Sequence, residues 1–377
     1  MFALAADSLS RPSETFVRAH LHDILPERTV VLCRDGRGAE VFGCPVLSEI
    51  SPYPAPRHLG ERIATALRWR WRRYADPALG GPDERRVRAF LQHHGVTALM
   101  AEYGQNGLLL RRACRRAGVP LFVHFHGHDV MRLGRLPEFR RHYRRLFADA
   151  AGVIAPSRFL ADQLHDLGCP ESKLHVSPNG VDPAMFPPSM REAGRVLAVG
   201  RLMAMKAPLQ TLRAFAIVHR AMPEARLDMV GAGPLQEACA ALLDELGLGG
   251  AVTLHGARPH AEVVALMGRA ALFVQHSVTA PDGQTESFGI SLIEANASEV
   301  PVVSTRSGGI PDTVADGETA LLVEENDVEG MAEAMLALLR DPARATAMGK
   351  AGRARVEAGF SRAAVAARLR GIMGLET

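Results

Sequence analysis

Two carboxylates stand eight positions apart in the stretch TESFGISLIEA (residues 285–295), one on each side of an apolar run. In a helix, eight positions span about 12 Å, which is comparable with the distance from a sugar ring, across a diphosphate, to a ribose. Glu286 would then accept hydrogen bonds from sugar hydroxyls, and Glu294 from ribose hydroxyls. The alternative interpretation is a helix that carries two surface glutamates.

The start of this predicted helix has the features of an anion site. Ser287 is of a residue type that caps helices, so the helix is expected to begin beside it. The first backbone N–H groups of a helix point outward and attract a phosphate. Gly289 lacks the side chain that would keep a phosphate away. The amides concerned are those of Phe288, Gly289 and Ile290.

Two cations follow a predicted strand in VGRLMAMKAP (199–208). Arg201 and Lys206 lie in a loop that leads into a predicted helix. Positive charge there suits a diphosphate leaving group, because the negative charge on the diphosphate grows as its bond to the sugar breaks. Such a pair is a weak signal by itself, since arginine is common at strand ends.

Glycine turns also follow predicted strands, in VGAGP (230–234) and SGGIPD (307–312). The backbone of such a turn can approach a ligand closely, but simple turn geometry explains the glycines equally well. VGAGP lacks the third glycine of the G-x-G-x-x-G fingerprint, which disfavours a dinucleotide-dependent oxidoreductase.

The segment HFHGHD (124–129) gathers four residues of metal-ligand type, His124, His126, His128 and Asp129. Alternate residues of a strand share a face, so several of them could meet one ion. No further cluster of histidine, cysteine or acidic residues in the sequence supports this alternative. The sequence therefore predicts no metal site.

Short apolar runs alternate with longer amphipathic segments, which is the pattern of repeated β-α-β units. In the first half, strands are predicted at 28–33, 98–103, 120–125, 152–157 and 174–178, and helices at 106–118 and 157–168. In the second half, strands are predicted at 195–202, 226–231, 252–256, 271–275, 300–305 and 320–324, and helices at 207–222, 233–246, 260–269, 289–298 and 328–339. The pattern predicts two doubly wound α/β domains that face each other across a cleft, with ligands beyond the carboxyl ends of the strands.

The composition is that of a two-domain globular protein: the chain has 377 residues, of which 47% are hydrophobic. No apolar run approaches the roughly 20 residues that cross a bilayer, and the first residues lack the charged and apolar regions of a signal peptide. The five cysteines are scattered and include no C-x-x-C pair, which argues against a disulfide framework. We therefore expect a cytoplasmic protein.

The net charge of +3 hides an asymmetry, because residues 1–190 hold 26 Lys and Arg against 19 Asp and Glu. The excess lies in three basic segments, 68–74, 111–116 and 139–147, and the first of them contains both tryptophans, Trp69 and Trp71. These segments are either solvated helix faces or a surface that contacts an anionic membrane. No nucleic-acid-binding motif is present, so nucleic acid is not an expected partner.

Together these segments resemble the retaining glycosyltransferases of the GT-B fold, in particular glycosyltransferase family 4 (group 1). The resemblance covers nearly the whole chain and is strongest over residues 196–325, where the E-x7-E element ESFGISLIE follows GRLMAMKAP and VGAGP and precedes PVVST and SGGIPD in the family's order. In the first half, SETFVRAHL, HFHGHDV, VIAPSRF and VSPNGVD are also similar to family segments. The stretch SVTAPDGQTESFG resembles bacterial members that build exopolysaccharides and capsules.

The resemblance implies two Rossmann-like domains and a returning helix. Residues 1–185 would form an acceptor-binding domain, residues 195–360 a nucleotide-sugar-binding domain, and residues 361–377 a C-terminal helix that packs back on the first domain. The chain departs from many family members in its first loop, which reads SRPSETF rather than containing a Gly-Gly pair. It also has Glu299 where glycine is common before PVV.

The resemblance also implies roles for single residues. Glu286 would contact the donor sugar near the reacting carbon, and His126 would reach the sugar and the acceptor from the first domain. Donor contacts would come from Arg201 and Lys206 on the diphosphate, from Arg258 near the nucleobase, from Glu294 on the ribose and from the segment Ser287–Ile290. Candidates for the acceptor side are Ser13, Glu14, Thr15 and His128. The departing phosphate would help to deprotonate the acceptor, so that no conventional general base is required.

The sequence thus predicts a cytoplasmic glycosyltransferase in peripheral contact with an anionic membrane. It would use a UDP- or GDP-linked hexose as donor, a glycan or lipid-linked molecule as acceptor, and no cofactor. The alternatives are a GT-B-fold nucleotide-sugar epimerase and a non-catalytic two-domain sugar-binding protein. The sequence leaves the oligomeric state open.

Overall fold

The chain forms two compact units in a computed structural model that describes residues 1–9, 15–34, 43–50 and 76–376. Unit 1 comprises Met1–Pro178 and Val365–Thr377, and unit 2 comprises Asn179–Ala364. Ser13, Glu14 and the basic segment 68–74 with its two tryptophans lie outside the described residues, and Thr15 is described only by its backbone.

Unit 1 is built on a parallel sheet of seven strands in the order β3-β2-β1-β4-β5-β6-β7. The strands are β1 (Phe2–Ala6), β2 (Thr29–Cys33), β3 (Val46–Leu47), β4 (Ala98–Glu102), β5 (Leu121–His124), β6 (Gly152–Ala155) and β7 (Leu174–Val176). The five central strands, β1, β2, β4, β5 and β6, are buried along their whole length, because helices cover both faces of a parallel sheet.

The helices of unit 1 are α1 (Thr15–Asp23), α2 (Gly81–His93), α3 (Gly104–Ala117), α4 (Pro137–Asp149), α5 (Arg158–Asp166) and, from the end of the chain, α13 (Arg362–Met373). A π-helical turn, His128–Leu133, precedes α4. The predicted serine cap of α5 is confirmed: Ser157 Oγ accepts a hydrogen bond from the Leu160 amide at 3.1 Å. Val365, Leu369 and Met373 of α13 are buried in one apolar cluster with Phe2 of β1.

Unit 2 has a parallel sheet of six strands in the order β10-β9-β8-β11-β12-β13. The strands are β8 (Arg195–Val199), β9 (Arg226–Val230), β10 (Val252–Gly256), β11 (Leu272–Gln275), β12 (Val302–Thr305) and β13 (Ala320–Val323). The helices are α6 (Pro208–Ala221), α7 (Gln236–Glu245), α8 (His260–Arg269), α9 (Ile290–Ala297), α10 (Ile310–Thr313), α11 (Val328–Leu339) and α12 (Pro342–Arg355).

The predicted doubly wound α/β class and every strand predicted from the sequence are confirmed. Two strands of unit 1, β1 and β3, were absent from the sequence prediction. Strand β1 has the sequence FALAA, which lacks the β-branched residues that usually indicate a strand. It nevertheless lies at the centre of the sheet, where burial on both faces outweighs local propensity.

The predicted helix cap at Ser287 is wrong. Helix α9 begins at Ile290, and Gly289 occupies the N-cap position with φ +85°. The left-handed backbone at this position favours glycine, because other residues rarely adopt such a φ. Phe288 precedes the helix. Its side chain is only 3% exposed, because it packs in an apolar cluster.

The arginines of the basic segment 111–116 pair with acidic residues of the same unit. Arg111 and Arg112 contact Asp76, and Arg115 lies 3.0 Å from Asp149. Arg116 contacts Glu84. The four arginines of this segment are therefore paired with three carboxylates of unit 1.

No helix among the described residues is long and apolar enough to cross a bilayer. The five cysteines are free thiols, and four of them are buried.

Candidate active site

The order of the unit 2 strands reverses between β8 and β11, which is the position where doubly wound sheets bind ligands beyond the strand ends. The loop after β8 carries Arg201 and Lys206, and Gln275 is the last residue of β11. An open pocket at this edge is lined by Gly200, Arg201, Lys206 and Gln275 among others.

Lys206 and Glu286 form a half-buried ion pair at this point of the sheet. Lys206 Nζ also lies 3.2 Å from Gln275 Oε1, and Gln275 Nε2 lies 3.3 Å from Glu286 Oε2. Burial raises the pKa of Glu286, but the Lys206 ammonium outweighs this effect and holds the pKa below its usual value. The site therefore presents a carboxylate at neutral pH, held beside Lys206 Nζ.

The loop after β12 holds the backbone of Glu286 in place. The Gly309 amide donates to the Glu286 carbonyl at 2.8 Å, and Thr285 Oγ1 lies 2.9 Å from Ser307 Oγ. A Cβ atom at Gly308, where φ is +52°, would lie 2.1 Å from the Glu286 carbonyl oxygen. Gly308 of SGGIPD is thus explained by its close contact with the segment that carries Glu286.

The glycines of VGAGP allow two loops to touch. A Cβ atom at Gly231 would lie 1.8 Å from the Gly200 carbonyl oxygen, and one at Gly233 would lie 2.4 Å from the Leu202 carbonyl oxygen. The Leu202 amide donates to the Ala232 carbonyl at 3.1 Å. The turn after β9 therefore supports the loop that carries the two predicted phosphate-binding cations.

The other predicted donor residues lie at the same edge of unit 2 or close to it. Glu294, on α9, has Oε1 at 3.2 Å from His260 Nε2. Arg258 is exposed after β10, with Glu262 at 3.8 Å. The Phe288 amide donates a hydrogen bond to the Glu286 carboxylate. It is one of the three amides that the sequence analysis assigned to phosphate binding, and it is already engaged within the protein.

Unit 1 contains a second polar cluster, centred on Glu102 at the end of β4. Glu102 Oε1 lies 2.6 Å from His20 Nδ1, and Glu102 Oε2 lies 3.0 Å from His126 Nε2. His124 Nδ1 is 3.2 Å from Glu102 Oε2, yet neither imidazole nitrogen of His124 makes a hydrogen bond. Burial lowers the pKa of His124 to about 4, so its ring is neutral at pH 7.

The carboxylate of Asp129 holds the start of α3 and the loop after β5 in place. This carboxylate accepts hydrogen bonds from the Gly104 amide at 2.7 Å and from the His126 amide at 2.9 Å. Burial raises the pKa of Asp129 to about 6. His128, which the sequence analysis placed on the acceptor side, begins the π-helical turn and is exposed.

Ligand atoms of His20, Glu102 and His124 lie within 4.8 Å of one another, a spacing that suits a metal ion. The contacts of Glu102 at 2.6 and 3.0 Å are nevertheless hydrogen-bond lengths, and both carboxylate oxygens are engaged in them. We therefore interpret the group as a hydrogen-bonded carboxylate. It differs from the set considered from the sequence, because neither His128 nor Asp129 belongs to it.

The sequence of the chain is similar to those of known proteins. Residues 189–355 match the family described as Glycosyl transferases group 1, and residues 28–185 match Glycosyltransferase Family 4. A GDP-mannose-dependent alpha-(1-6)-phosphatidylinositol monomannoside mannosyltransferase from Mycolicibacterium smegmatis is 33% identical over 282 residues, which is 71% of this chain and 74% of that protein. The chain belongs to glycosyltransferase family 4.

Two other relatives of this family 4 glycosyltransferase have names that refer to polysaccharide biosynthesis. The amylovoran biosynthesis glycosyltransferase AmsK of Erwinia amylovora is 30% identical over 276 residues, covering 72% of this chain and 66% of that protein. The putative colanic acid biosynthesis glycosyltransferase WcaL of Escherichia coli K12 is 31% identical over 217 residues, covering 56% of this chain and 53% of that protein.

Solved structures share the GT-B fold. HepE from Anabaena, in complex with UDP and glucose, superposes with a TM-score of 0.75 at 18% identity and covers 99% of both chains. The lipopolysaccharide outer core galactosyltransferase WaaB, in its apo form, superposes with a TM-score of 0.71 at 16% identity over 99% of both chains.

Family 4 enzymes transfer a sugar from a nucleotide-sugar donor with retention. The polar residues at the strand ends are therefore candidates for contacts with the substrates. Sequence reasoning missed three of these residues, namely Glu102, His20 and Gln275. Two of the three carry a signal, since Glu102 and Gln275 are polar residues at or near the carboxyl end of an apolar predicted strand. His20 carries none, because only the packing of α1 brings it to β4.

Proposed function

We propose that the chain transfers a hexose from a UDP- or GDP-linked donor to a hydroxyl of a glycan or lipid-linked acceptor in polysaccharide biosynthesis. The observation that carries this proposal is the Lys206–Glu286 pair at the β8/β11 switch point, where a cation and a carboxylate lie next to a pocket. A diphosphate needs the first of these charges, and sugar hydroxyls need the second as an acceptor.

In this proposal unit 2 holds the donor. Lys206 binds the diphosphate and releases Glu286, whose carboxylate then accepts hydrogen bonds from the donor sugar. Arg201 is exposed in the loop after β8 and adds a second cation. The amides of Gly289 and Ile290 at the start of α9 add hydrogen-bond donors, and the positive end of the helix favours an anion there.

The far end of the donor is assigned to the remaining predicted residues. Glu294 lies one turn inside α9 and is assigned to accept hydrogen bonds from the ribose. Arg258 follows β10 and is assigned to the nucleobase. Ser287 lies between Glu286 and the amides of the helix start and is assigned to the phosphate side.

GDP-mannose is the first donor to test. The relative that is 33% identical over 71% of this chain is a GDP-mannose-dependent mannosyltransferase by its name. HepE was solved with UDP, but at 18% identity that likeness concerns the fold alone.

Unit 1 is assigned to the acceptor. His126 is the catalytic candidate of this unit, and His128 with Ser13, Glu14 and Thr15 are candidates for acceptor contacts. The names of AmsK and WcaL support a bacterial exopolysaccharide as the product. The reaction is proposed to need no cofactor, because the departing phosphate oxygen can take the proton of the acceptor hydroxyl on the same face of the sugar.

We also assign the acceptor side to an anionic membrane surface. Helix α4 exposes Arg140, Arg141 and Arg144, whereas its Tyr143 and Leu146 are buried. One helix thus has an apolar inner face and a basic outer face. A lipid-linked acceptor would be presented at such a surface.

The proposal is tested by titrating the purified protein with GDP, UDP and ADP in a calorimeter, followed by a transfer assay with the sugar conjugate of the nucleotide that binds. We expect one nucleotide to bind selectively in the micromolar range, at about −8 kcal/mol. Failure of all three nucleotides to bind would overturn the proposal. Release of a free epimerised sugar without transfer would favour the epimerase alternative.

A further inference from the structure

A buried carboxylate lies at the carboxyl edge of the unit 1 sheet, and no step of the proposed reaction uses it. Glu102 ends β4, His124 ends β5, and the two residues are partners in the register of the strands. His20 reaches the same point from α1, and His126 follows β5 by two positions. All four side chains are buried.

The hydrogen bonds of Glu102 fix the protons of its neighbours. An ionised carboxylate only accepts hydrogen bonds, so His20 Nδ1 and His126 Nε2 must each donate, at 2.6 and 3.0 Å respectively. A neutral imidazole carries one proton. If His126 donates from Nε2, its Nδ1 is left with a lone pair.

The charge of Glu102 is compensated within the cluster. Burial raises the pKa of Glu102, but the neighbouring histidines, His20 first, hold it well below the usual value. His124 is neutral at pH 7, because burial lowers its pKa to about 4. His20 has the shortest contact with the carboxylate, at 2.6 Å, and His126 has the longer one, at 3.0 Å.

The ring and backbone of His126 are held from other directions as well. Its amide donates to Asp129 Oδ1 at 2.9 Å. Its ring centroid lies 4.5 Å from that of Phe16 and 4.7 Å from that of Tyr103. The imidazole therefore has little freedom to turn and exchange the positions of its two nitrogens.

We propose that Glu102 is a positioning residue for glycosyl transfer, which holds His126 as the Nε2–H tautomer so that Nδ1 accepts a hydrogen bond from a substrate hydroxyl. This inference rests on the proposed function, in which His126 contacts the substrate. A lone pair suits a substrate hydroxyl other than the reacting one, whose single proton goes to the departing phosphate. The opposite tautomer would present an N–H group to that hydroxyl.

Glu102→Gln tests the proposal, because the glutamine side chain has almost the same shape but only one oxygen to accept with. We expect kcat to fall by about 10–100-fold, with the affinity for the nucleotide unchanged, since the donor is assigned to unit 2. The matched control is Glu84→Gln, which removes another buried carboxylate of unit 1, paired with Arg116. We expect kcat of this control to equal that of the wild type.

The pH profile separates positioning from a purely structural role. The groups that face His126 are Glu102 from β4, His124 from β5, His20 from α1 and Asp129 from the π-helical turn. Glu102→Gln removes a negative charge that lies 3.0 Å from His126 Nε2, so the acidic limb of the kcat profile should move to lower pH. A lower kcat with an unmoved limb would overturn the proposal.

The tautomer can be read directly, without any activity, from long-range ¹H–¹⁵N spectra of the wild-type protein with labelled histidines. We expect Nε2–H for His126, assigned with a His126→Asn variant, and a change of that signal in Glu102→Gln. An Nδ1–H signal in the wild type would overturn the proposal even if Glu102→Gln fails to fold. So would one equivalent of zinc in the purified protein that Glu102→Gln loses, because Glu102 would then be a metal ligand.

These readouts also separate two failures. If no donor supports transfer, the proposed function fails, whereas the spectrum still decides whether Glu102 fixes His126. If transfer is observed and the spectrum shows the other tautomer, only the further inference fails.

Discussion

Lys206 and Glu286 each stabilise the other as an ion pair whose side chains are largely buried. Glu286 is only 7% exposed and would be costly to bury as an anion without a partner. Gln275 holds both side chains through its amide, and Ser291 Oγ holds Gln275 Oε1 at 2.9 Å. This arrangement suits the proposed substrate, which carries a diphosphate at one end and hydroxyls at the other.

We expect Lys206→Ala and Glu286→Gln each to reduce the transfer rate at least about a hundredfold, because each removes a charge that acts on the diphosphate or on the sugar. The rate of sugar transfer is the measurement, and circular dichroism checks that the variants are folded. The controls are Lys350→Ala and Glu245→Gln, which change the same residue types at exposed positions of unit 2. Near-normal turnover of either site variant would contradict the assignment.

At the scale of elements, the site depends on glycines that allow strand-end loops to touch. The turns after β8 and β9 meet at Gly200 and Gly231, and the turn after β12 meets the Glu286 segment at Gly308. Each contact is between backbone atoms, so any larger side chain would push a catalytic loop away. Glu299, in contrast, has a side chain and still adopts a positive φ of +60°, the backbone conformation that usually favours glycine.

We expect Gly231→Ala to destabilise the protein by more than about 2 kcal/mol and to weaken nucleotide binding, because the new Cβ atom would lie 1.8 Å from the Gly200 carbonyl oxygen. Gly247→Ala is the matched control. Gly247 also has a positive φ, +66°, but has nothing within 4 Å of the added atom. It should cost about 1 kcal/mol and leave binding intact. Equal effects in urea unfolding and calorimetry would refute this explanation.

His276 links the end of β11 to the loop before α11, since its Nε2 accepts a hydrogen bond from the Asn326 amide at 3.0 Å. Burial lowers the pKa of His276 from 6.5 to about 4. Between these values the unfolded chain binds a proton that the folded protein does not. The free energy of unfolding therefore falls as the pH drops from 6.5 to about 4, by an amount on the order of 3 kcal/mol from this residue.

We expect His276→Gln to flatten this dependence, because Gln Oε1 replaces the acceptor and does not titrate. Urea unfolding at several pH values is the measurement. At pH 8 the variant and the wild type should have nearly the same stability, which serves as the internal control. The same slope for both proteins below pH 6.5 would show that His276 is not responsible.

At the scale of the whole molecule, the end of the chain completes the unit formed by its beginning. Arg370 Nη1 donates to the carbonyls of Asp23 and Ile24 at 3.1 Å. Leu369 is fully buried in the cluster that contains strand β1. Helix α13 therefore covers one face of the unit 1 sheet.

We expect Leu369→Ala to lower the free energy of unfolding of unit 1 by about 2–5 kcal/mol, because it leaves a cavity against that sheet. Nucleotide binding, which is assigned to unit 2, should survive in the variant. Arg368→Ala, at an exposed position of the same helix, is the control and should have a small effect. Loss of nucleotide binding together with an unchanged melting temperature would contradict this division of labour.

The proposed membrane surface can be tested by reversing the charge of its exposed arginines. A variant with Arg140, Arg141 and Arg144 changed to glutamate should lose binding to vesicles that contain anionic lipid, by about 1 kcal/mol per charge removed. Sedimentation with vesicles at low and high salt measures this effect, and neutral vesicles are the control. Undiminished binding of the triple variant would place the membrane contact elsewhere.

The sequence by itself determined the doubly wound α/β class, the strands that are rich in branched residues, and the family, because these depend on local patterns and on motif order. It also singled out Lys206 and Glu286 as candidate site residues, and the structure places them in contact, Lys206 in the loop after β8 and Glu286 in the loop between β11 and α9. It did not predict β1, because FALAA has no local strand signal and becomes a strand only through its neighbours.

Only the tertiary structure decided what surrounds each motif. It moved the start of α9 from Ser287 to Ile290, because Phe288 is drawn into an apolar cluster. It also brought His20, Glu102 and His126 together from three separate elements. The physical reason is that hydrogen bonding and burial between distant residues depend on the order of strands in the sheet and on helix packing, and a linear pattern does not contain either.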